Sequence, residues 1–418
     1  MAGEPSFDSA AEAPGAPAVN WRRNLLAVGL AMGSGSLGIS FVGPFLAIFL
    51  HRDLGFHNPR ELALWTGIVA GASGLTQALG SPLWGAIADR YGRKTMLLRA
   101  LVAGGVINAL TGLAQNALEL TGVRMLLGFS AGFPSASAAL IASETPPVSV
   151  GWALGVIAST RAFGFAIGPM IGGLLGNFLP LREVFAAGGA LLFLSALPVF
   201  QLVRETPRPP ALRKAANLRR GLAAAPRGTS RAILALVACQ GLAQFAYSCA
   251  QQLMVLRIIV LLPRAATLGT GIAFAGLGLS TGIAALGYSR LLPWAGYRRL
   301  SMAAALLSAT SLAVTALAPE MGLLLFGTIG VGLFYGVLNP AFGSMIGLES
   351  PPEIKATVFG TGNSAVALGM AGGPIVGGAL ASVAGVQVGF AAAIVAALIS
   401  VFVLFRWARE PSASSLQT

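Results

Sequence analysis

Long apolar segments separated by short polar stretches recur along the whole chain. A helix needs about 20 mostly apolar residues to cross a bilayer, and the pattern contains twelve such segments. We therefore predict twelve membrane-spanning helices, with boundaries set to within several residues, at about 25–50, 63–88, 95–115, 118–142, 152–176, 184–203, 232–256, 267–289, 300–318, 321–347, 357–381 and 386–405.

One polar interruption is much longer than the others. Residues 204–230 are rich in proline and basic residues, and they divide the spans into six and six. We predict an N-terminal half at 21–203, a linker at 204–230 and a C-terminal half at 231–407. Residues 1–20 and 408–418 are predicted to be short tails, the first of them disordered. The first apolar stretch is too long for the core of a signal peptide and is predicted to be retained as a span.

The composition supports a membrane protein and excludes several other classes. Hydrophobic residues make up 55% of the chain and charged residues only 10%, against about 25% charged in a soluble domain. So few charges do not cover the surface of a soluble protein of this size. Disordered chains are less hydrophobic, and two cysteines do not build a disulfide scaffold. The predicted class is an all-α integral membrane protein.

The net charge of +13 fits either a nucleic-acid partner or the excess of basic residues that marks the cytoplasmic side of a membrane protein. With an even number of spans, both termini lie on one side. Only a few basic residues fall on the opposite side, namely Arg52, Arg60, Arg182, Arg257 and Arg264. The bias predicts cytoplasmic termini in a cell (inner) membrane and no nucleic-acid partner. The many Arg, Ala and Gly residues are typical of a bacterial source.

An internal repeat relates the two halves. Residues 144–175 align without gaps on residues 349–380, at an offset of 205 positions. The identical pairs include Glu144/Glu349, Gly155/Gly360, Gly164/Gly369, Gly168/Gly373, Pro169/Pro374 and Gly172/Gly377. Parallel repeats of six spans are a known arrangement in secondary transporters. The repeat therefore predicts two pseudo-symmetric halves around a central cavity.

The loop after the second span carries the most specific motif. Residues 85–94 read GAIADRYGRK, which resembles the G-X-X-X-D-R-X-G-R-K signature of the major facilitator superfamily. Residues 124–132, RMLLGFSAG, and residues 164–173, GFAIGPMIGG, resemble motifs of its drug:proton antiporters with twelve spans. The chain looks like the multidrug-efflux branch related to the tetracycline exporters. The resemblance implies a major facilitator fold and export of small compounds against proton entry.

The signature loop is expected to act as a cytoplasmic latch, by the resemblance. Asp89 is expected to accept hydrogen bonds from the start of span eleven, and Arg90 or Arg93 to pair with Glu144. Such contacts would form in one conformation and break in the other. Gly85, Gly92 and Lys94 complete the candidate set. The alternative is a solvated loop that only sets orientation.

Two arginines are predicted inside spans, where a charge costs at least about 2.5–3.5 kcal/mol. Arg124 matches a family arginine linked to proton coupling, or else extends toward the external face. Glu119 is a candidate partner for it. Arg161 has no motif behind it and favours an anionic substrate or a counter-ion. Because no acid lies in the middle of a span, coupling needs a titrating Asp89, Glu119 or Glu144, or a charged substrate.

The glycines and prolines of spans five and eleven are predicted to pack helices closely. Proline removes one intrahelical hydrogen bond and bends the helix, and small residues let helices approach. The functional interpretation is a seal against leakage during the transport cycle, and the simpler one is ordinary helix packing. The residues are Gly164, Gly168, Pro169 and Gly172, with Gly369, Gly373, Pro374 and Gly377.

Two polar faces are predicted to line the cavity. Span seven carries Gln240, Gln244, Tyr247 and Gln251 at helical spacing, and span ten carries Thr328, Tyr335, Asn339 and Phe342. Amides mixed with aromatic rings suit small amphipathic substrates. The alternative is hydrogen bonding between helices without a ligand.

Other candidate chemistry is weak. His51 and His57 lack neighbouring thiols, which argues against a metal site. Cys239 and Cys249 are separated by about 15 Å of helix rise and cannot pair. No nucleotide-binding or nucleophile motif is present, so no catalytic residue, cofactor or enzyme activity is predicted.

The sequence predicts a monomeric secondary transporter that works by alternating access. Its partners are the lipid bilayer, a small amphipathic substrate and protons, with export as the predicted direction. One alternative is a facilitator or importer of a small metabolite, such as an anion. An alternative of another class is a non-transporting membrane sensor or an intramembrane enzyme.

Overall fold

A computed structural model describes residues 20–206, 229–351 and 354–407. Twelve helices in these ranges are long and apolar enough to cross a membrane, which confirms the predicted number. We number them α1 to α12: Trp21–Arg52, Pro59–Tyr91, Arg93–Leu113, Ala117–Glu144, Pro147–Phe178, Leu181–Leu202, Thr229–Leu261, Ala266–Ala295, Tyr297–Leu317, Met321–Glu349, Lys355–Ala384 and Val386–Trp407.

Local sequence signals set where several spans begin. The side chains of Asn20, Asn58 and Asn116 accept hydrogen bonds from the first turns of α1, α2 and α4, as asparagine does at helix N-caps. Pro59 and Pro147 occupy first-turn positions, where the missing N–H costs nothing. Asn20 therefore caps α1, although the sequence pattern placed it in the tail. The rest of the predicted tails, 1–19 and 408–418, lies outside the described residues.

Three spans are interrupted, one of them α6, in which the helix Leu181–Leu194 is followed by a second helix at Ala196–Leu202. In α1, the helix Trp21–Ser40 is followed by a 3-10 turn at Gly43–Phe45 and a second helix at Leu46–Arg52. In α4, the helix ends at Ser130 and restarts at Phe133, with Gly132 at φ +134° between the two pieces. Only glycine adopts this backbone conformation without strain. The prolines inside α5, α8, α10 and α11 leave those helices continuous.

The two ends of the bundle differ in how the halves pack. We call the end at Trp21, Leu202 and Trp407 the linker end and the end at His51 the distal end. At the distal end one apolar cluster joins residues of both halves, such as Phe49 and Leu253. At the linker end each half has its own separate cluster. Within the described ranges, the halves therefore share a core only toward the distal end.

Glycines along the facing helices show where the halves separate. Toward the distal end, a methyl group built on Gly173 of α5 would lie 2.8 Å from the carbonyl oxygen of Thr267 of α8. Nearer the linker end, methyl groups built on Gly155 of α5 and on Gly282 and Gly287 of α8 would meet nothing within 4 Å. The helices diverge from the distal end, so a cavity between the halves opens at the linker end.

Candidate functional site

A stacked pair of tyrosines forms the centre of the site. Tyr247 of α7 and Tyr335 of α10 lie with ring centroids 3.9 Å apart and nearly parallel planes. The Tyr335 hydroxyl donates to the side-chain carbonyl oxygen of Gln244, and the Tyr247 hydroxyl has Gln251 and Thr281 as side-chain hydrogen-bond partners. These five side chains form a polar and aromatic wall on the C-terminal half. Both hydrogen-bond partners on α7 were predicted from helical spacing.

Arg161 of α5 faces this wall from the N-terminal half. It lies within electrostatic range of Tyr335 and is exposed although protein surrounds it on most sides. A side chain that is both deep and exposed in this bundle faces the cavity. Arg161 has no hydrogen bond or ion pair with any other described residue. The structure thus brings together two groups that sequence reasoning had considered separately.

The other predicted lining residues divide into two sets. Asn339 is exposed, one turn beyond Tyr335, while Gln240 approaches Gly362 of α11 and is half-buried. The expectation for Thr328 and Phe342 was wrong. Thr328 is 2% exposed, with its hydroxyl 3.2 Å from the Met254 sulfur, and Phe342 is fully buried. Helical spacing alone did not indicate that other side chains cover these two positions.

Arg124 is buried inside the N-terminal half. Only 9% of the residue is exposed, and its Nε and Nη1 atoms have no hydrogen-bond partner among the described residues. A methyl group built on Gly128, one turn along α4, would clash with the carbonyl oxygen of Ser73. The motif residue Gly128 therefore holds α4 tightly against α2. Arg124 does not extend to the surface, and its side chain is buried within the helix bundle.

Glu119 does not pair with Arg124 in this conformation. Its carboxylate accepts hydrogen bonds from the backbone N–H of Gln115 at 2.9 Å and from the side-chain amide of Asn116 at 2.7 Å. The Glu119 N–H in turn donates to Asn116 at 2.9 Å. This reciprocal arrangement caps the start of α4. The observed role of Glu119 in this state is structural.

The interruption of α4 is supported by side chains from two neighbouring spans. The indole N–H of Trp84 in α2 donates to the carbonyl oxygen of Phe129 at 2.6 Å. Arg99 of α3 lies 3.5 Å from the centre of the Trp84 ring and donates to Ala131 at 3.4 Å. Backbone groups freed inside a membrane need such partners. Sequence reasoning counted Arg99 only as a charge that sets the membrane orientation. The available signal for the interruption was the helix-breaking sequence Gly-Phe-Pro at 132–134.

The signature loop joins α2 to α3 through one residue. Gly92 has φ +89°, a left-handed conformation that favours glycine, and it ends one helix and precedes the next. The side chains of Asp89 and Arg90, and the surroundings of Gly85, lie outside the described residues. The expected contact between Asp89 and α11 and the pairing of Arg90 with Glu144 therefore stay predictions.

Glu205, which sequence reasoning missed, caps the start of α3. Its carboxylate accepts hydrogen bonds from the backbone N–H groups of Arg93 and Lys94, both at 2.8 Å. Gly92 has no side chain to provide a cap, and the helix N-terminus carries a partial positive charge. Glu205, which follows α6, thus accepts hydrogen bonds from the first N–H groups of α3. The same type of interaction was predicted between Asp89 and the start of α11.

Neighbouring hydrogen bonds join residues 203–206 to three spans. Lys94 donates to the carbonyl oxygen of Val203 at 2.7 Å, and Asn24 of α1 exchanges two hydrogen bonds with Arg204, at 2.7 and 3.0 Å. Glu144 at the end of α4 accepts a hydrogen bond from the Thr206 hydroxyl at 2.8 Å. Residues 204–206, assigned by sequence to the linker, therefore belong to the N-terminal half.

The guanidinium of Arg93 bonds to the backbone of α4. Its Nη1 atom donates to the carbonyl oxygen of Ala139 at 2.7 Å. The predicted latch residues Arg93, Lys94 and Glu144 thus all lie at one surface of the N-terminal half. The hydrogen bonds given above for these three residues join them to the N-terminal half.

We expect Glu205→Ala to destabilise the protein, because it leaves two helix N–H groups without their acceptor. Loss of an N-cap typically costs about 1–2 kcal/mol, so the Tm of the purified protein in detergent should fall. Glu320→Ala is the matched control, since Glu320 stands at the start of α10 without a side-chain capping bond. Equal melting temperatures for both variants would contradict the capping role.

The glycine motif of α5 packs on α1. A methyl group built on Gly164 would lie 2.5 Å from the carbonyl oxygen of Gly33, and one built on Gly168 would lie 3.0 Å from that of Leu37. Gly172 faces the ring of Phe45. At Gly164 the nearest atom is backbone, so side-chain rotation does not make room for a larger residue, whereas the nearest atoms to Gly168 and Gly172 belong to the side chains of Ser40 and Phe45. The predicted close packing is present along three turns.

The repeated motif of α11 packs on α7 in the same way. Methyl groups built on Gly369 and Gly373 would clash with the backbone of Gly241 and Phe245, and Gly377 faces the sulfur of Cys249. The Ser248 hydroxyl also donates to the carbonyl oxygen of Gly369 at 3.0 Å. The sequence repeat therefore corresponds to a repeated helix pair, α1 with α5 and α7 with α11.

A second face of each motif helix crosses to the other half. Gly173 of α5 lies against Thr267 of α8, and its repeat partner Gly378 of α11 lies against Ala63 of α2, where an added methyl group would be 2.6 Å from the carbonyl oxygen. Helices α5 and α11 therefore contact their own half on one side and the opposite half on the other. Both contacts lie toward the closed distal end.

The distal end carries titratable groups but no described metal cluster. No set of three or more His, Cys, Asp or Glu side chains with metal-binding geometry occurs among the described residues. The rings of His51 and His57 lie 5.1 Å apart. Burial raises the pKa of the Asp53 carboxyl, while the charges of Arg52 and Arg182 lower it in part.

Cys239 and Cys249 are buried free thiols.

Two repeats of six spans around a polar cavity define a membrane transport protein. The chain belongs to the Major Facilitator Superfamily, whose family model matches residues 25–264 and 241–417. It is 30% identical over 396 residues to the multidrug resistance protein MdtG of Escherichia fergusonii, which covers 93% of this chain and 95% of that relative. MdtG of Yersinia enterocolitica is 39% identical over 187 residues, so this match spans about half of the relative, 45% of its length.

Solved structures share the fold. A bacterial homologue of the human lysosomal transporter Spinster, in an inward-facing and occupied conformation, matches with a TM-score of 0.73 at 16% identity, covering 94% of this chain and 97% of that one. The nucleoside transporter NupG matches with a TM-score of 0.68 at 15% identity, covering 94% and 99%. At these identities the similarity establishes the architecture alone.

Proposed function

We propose that the protein exports small amphipathic compounds by alternating access. The observation that carries the proposal is a cavity that one shared apolar cluster closes at the distal end and that opens at the linker end. Its wall offers stacked tyrosines, amides and one arginine. Such a surface accommodates apolar bodies of varied shape and still offers polar contacts.

The direction follows from the proposed orientation. Basic residues concentrate at the linker end, which we assign to the cytoplasm of a bacterial cell, with the chain in the inner membrane. In this conformation the cavity then loads from the cytoplasm. Both halves of one chain complete the cavity, so we propose a monomer. The MdtG relatives carry the name multidrug resistance protein, which agrees with export of varied compounds.

We propose proton entry as the driving force. Export against a concentration gradient needs a source of energy. The sequence contains no motif for nucleotide hydrolysis, which leaves an ion gradient as the source. Asp89, Glu119 and Glu144 are the candidate acids for carrying the proton. Arg124 is the buried charge that would lower the pKa of a proton site in one of the two states.

The test is dye transport by the purified protein in liposomes, with the orientation of each population determined by thiol labelling at position 152. Trp152 on α5 is exposed at the linker end, and Trp152→Cys is prepared with serine at both native cysteines. We expect dye to accumulate in vesicles whose linker end faces outward and whose lumen is acidic. A protonophore should abolish the accumulation.

Two other outcomes would contradict the proposal. Equilibration that ignores the pH gradient would indicate a facilitator, and accumulation only in the opposite orientation would indicate an importer. Labelling of position 152 from outside intact cells would overturn the assigned orientation and with it the direction of transport.

A further inference from the structure

One cation in the cavity has no protein counter-charge. Arg161 lies in the middle of α5, exposed to the cavity and without a hydrogen bond or ion pair to a described residue. All fourteen acidic residues of the chain lie in tails, loops or span ends. An unpaired charge at this depth is costly and marks a functional site by default. Water can solvate it, but a counter-charge must come from a dissolved anion or a ligand.

The opposite wall supplies the rest of a binding site. The stacked rings of Tyr247 and Tyr335 lie across the cavity from Arg161, and their hydroxyls are held by Gln244, Gln251 and Thr281. The wall is neutral, so it does not neutralise the guanidinium. Flat aromatic surface next to an unpaired cation suits a molecule with an apolar ring system and an acidic group.

We propose that this cavity binds amphipathic organic anions, with Arg161 as the residue that anchors their carboxylate, sulfonate or phosphonate group. This inference rests on the proposed transport function and names its substrate class. The planar guanidinium holds such groups through two parallel hydrogen bonds. The apolar body then lies against the tyrosine pair, so that a bound anion bridges the two halves.

The bridge also explains why the anchor and the aromatic wall lie on different halves. An anion bound in the cavity neutralises Arg161 of α5 and contacts Tyr335 of α10. These two contacts draw the halves together at the level of the cavity. A cationic compound of the same shape would meet an unopposed positive charge. The site therefore discriminates by charge more than by shape.

Two dyes with the same xanthene ring system test the inference. Fluorescein is an anion at neutral pH and rhodamine 123 is a cation. Binding to the full-length protein in nanodiscs is measured by fluorescence anisotropy, with empty nanodiscs as the blank. We expect the wild type to prefer fluorescein. Arg161→Gln should weaken fluorescein binding by about 10- to 100-fold, the range for a charge-assisted hydrogen bond, and leave rhodamine 123 binding equal or tighter.

Two further variants separate charge from packing. Arg161→Lys keeps the charge without the planar fork and should retain part of the fluorescein affinity. Arg299→Gln removes the same charge from an exposed position outside the cavity and should bind both dyes as the wild type does. The protein yield and melting temperature of each variant are recorded alongside.

Three results would overturn the inference. Wild-type preference for rhodamine 123, an unchanged fluorescein affinity in Arg161→Gln, or an equal loss of both dyes in that variant would each show that Arg161 is no anion anchor. Dye transport in liposomes keeps the two proposals apart. Gradient-driven transport of rhodamine 123 alone would contradict the anion inference and leave export standing, whereas no gradient-driven transport of any dye would contradict export itself.

Discussion

Adding one methyl group at Gly164 should abolish transport, whereas the same change at Gly155 on the same helix should have almost no effect. The methyl group of Gly164→Ala would lie 2.5 Å from the carbonyl oxygen of Gly33 and 2.9 Å from the N–H nitrogen of Leu37. Overpacking costs about 1–3 kcal/mol, and occasionally more when backbone must move. At Gly155 an added methyl group meets nothing within 4 Å.

The internal repeat supplies a second matched pair. Gly369 of α11 meets the backbone of Gly241, while Gly360 meets nothing within 4 Å. We expect Gly164→Ala and Gly369→Ala each to lower the Tm in detergent and to reduce export more than tenfold. Gly155→Ala and Gly360→Ala should match the wild type or be slightly more stable, because alanine favours helix. Wild-type export by both tight-site variants would contradict the interpretation of the motif as a seal.

Replacing Arg124 by methionine should make the protein more stable and inactive. The guanidinium is buried, and two of its nitrogens have no hydrogen-bond partner among the described residues. A charge at this depth costs at least about 2.5–3.5 kcal/mol, and methionine fills a similar length without charge. If Arg124 sets the pKa of a proton site in one state, pH-driven export should fall more than tenfold while dye binding persists.

The matched control for this variant is Arg182→Met at the distal end. The guanidinium of Arg182 donates to the carbonyl oxygen of Gly112 at 2.7 Å and lies over the ring of Phe49. Its removal leaves an acceptor unsatisfied, so the Tm should fall where that of Arg124→Met rises. Dye-induced proton movement in proteoliposomes measures coupling directly. Unchanged proton movement in Arg124→Met would exclude this arginine from coupling.

The fold was largely predictable because its determinants are local or repeated. Twelve apolar segments of bilayer length follow from hydropathy, since a bilayer requires helices that satisfy their own backbone. The offset of 205 residues between Gly164 and Gly369 predicted two related halves. The structure shows the same repeat as a packing contact, because each of these glycines packs on the first helix of its own half. Glycine spacing indicates close helix contacts whatever the rest of the fold.

The polar site was predictable only in part, because spacing shows which residues share a face but not what that face meets. Gln244, Tyr247 and Tyr335 contact one another in the structure, whereas Thr328 and Phe342 share the predicted face of α10 and are buried in the core. Contacts between distant segments gave no sequence signal. Glu205 reaches the start of α3 across more than one hundred residues.

The central claim is that the halves rock about the cavity and expose it alternately at its two ends. Pulsed electron paramagnetic resonance measures this directly, with spin labels at Trp152 and Trp294 for the linker end and at Arg60 and Arg264 for the distal end. All four positions are exposed. During dye transport driven by a pH gradient, the linker-end distance should shorten in part of the population while the distal-end distance lengthens. Distances at both ends that stay fixed, or that change in the same direction, would contradict alternating access.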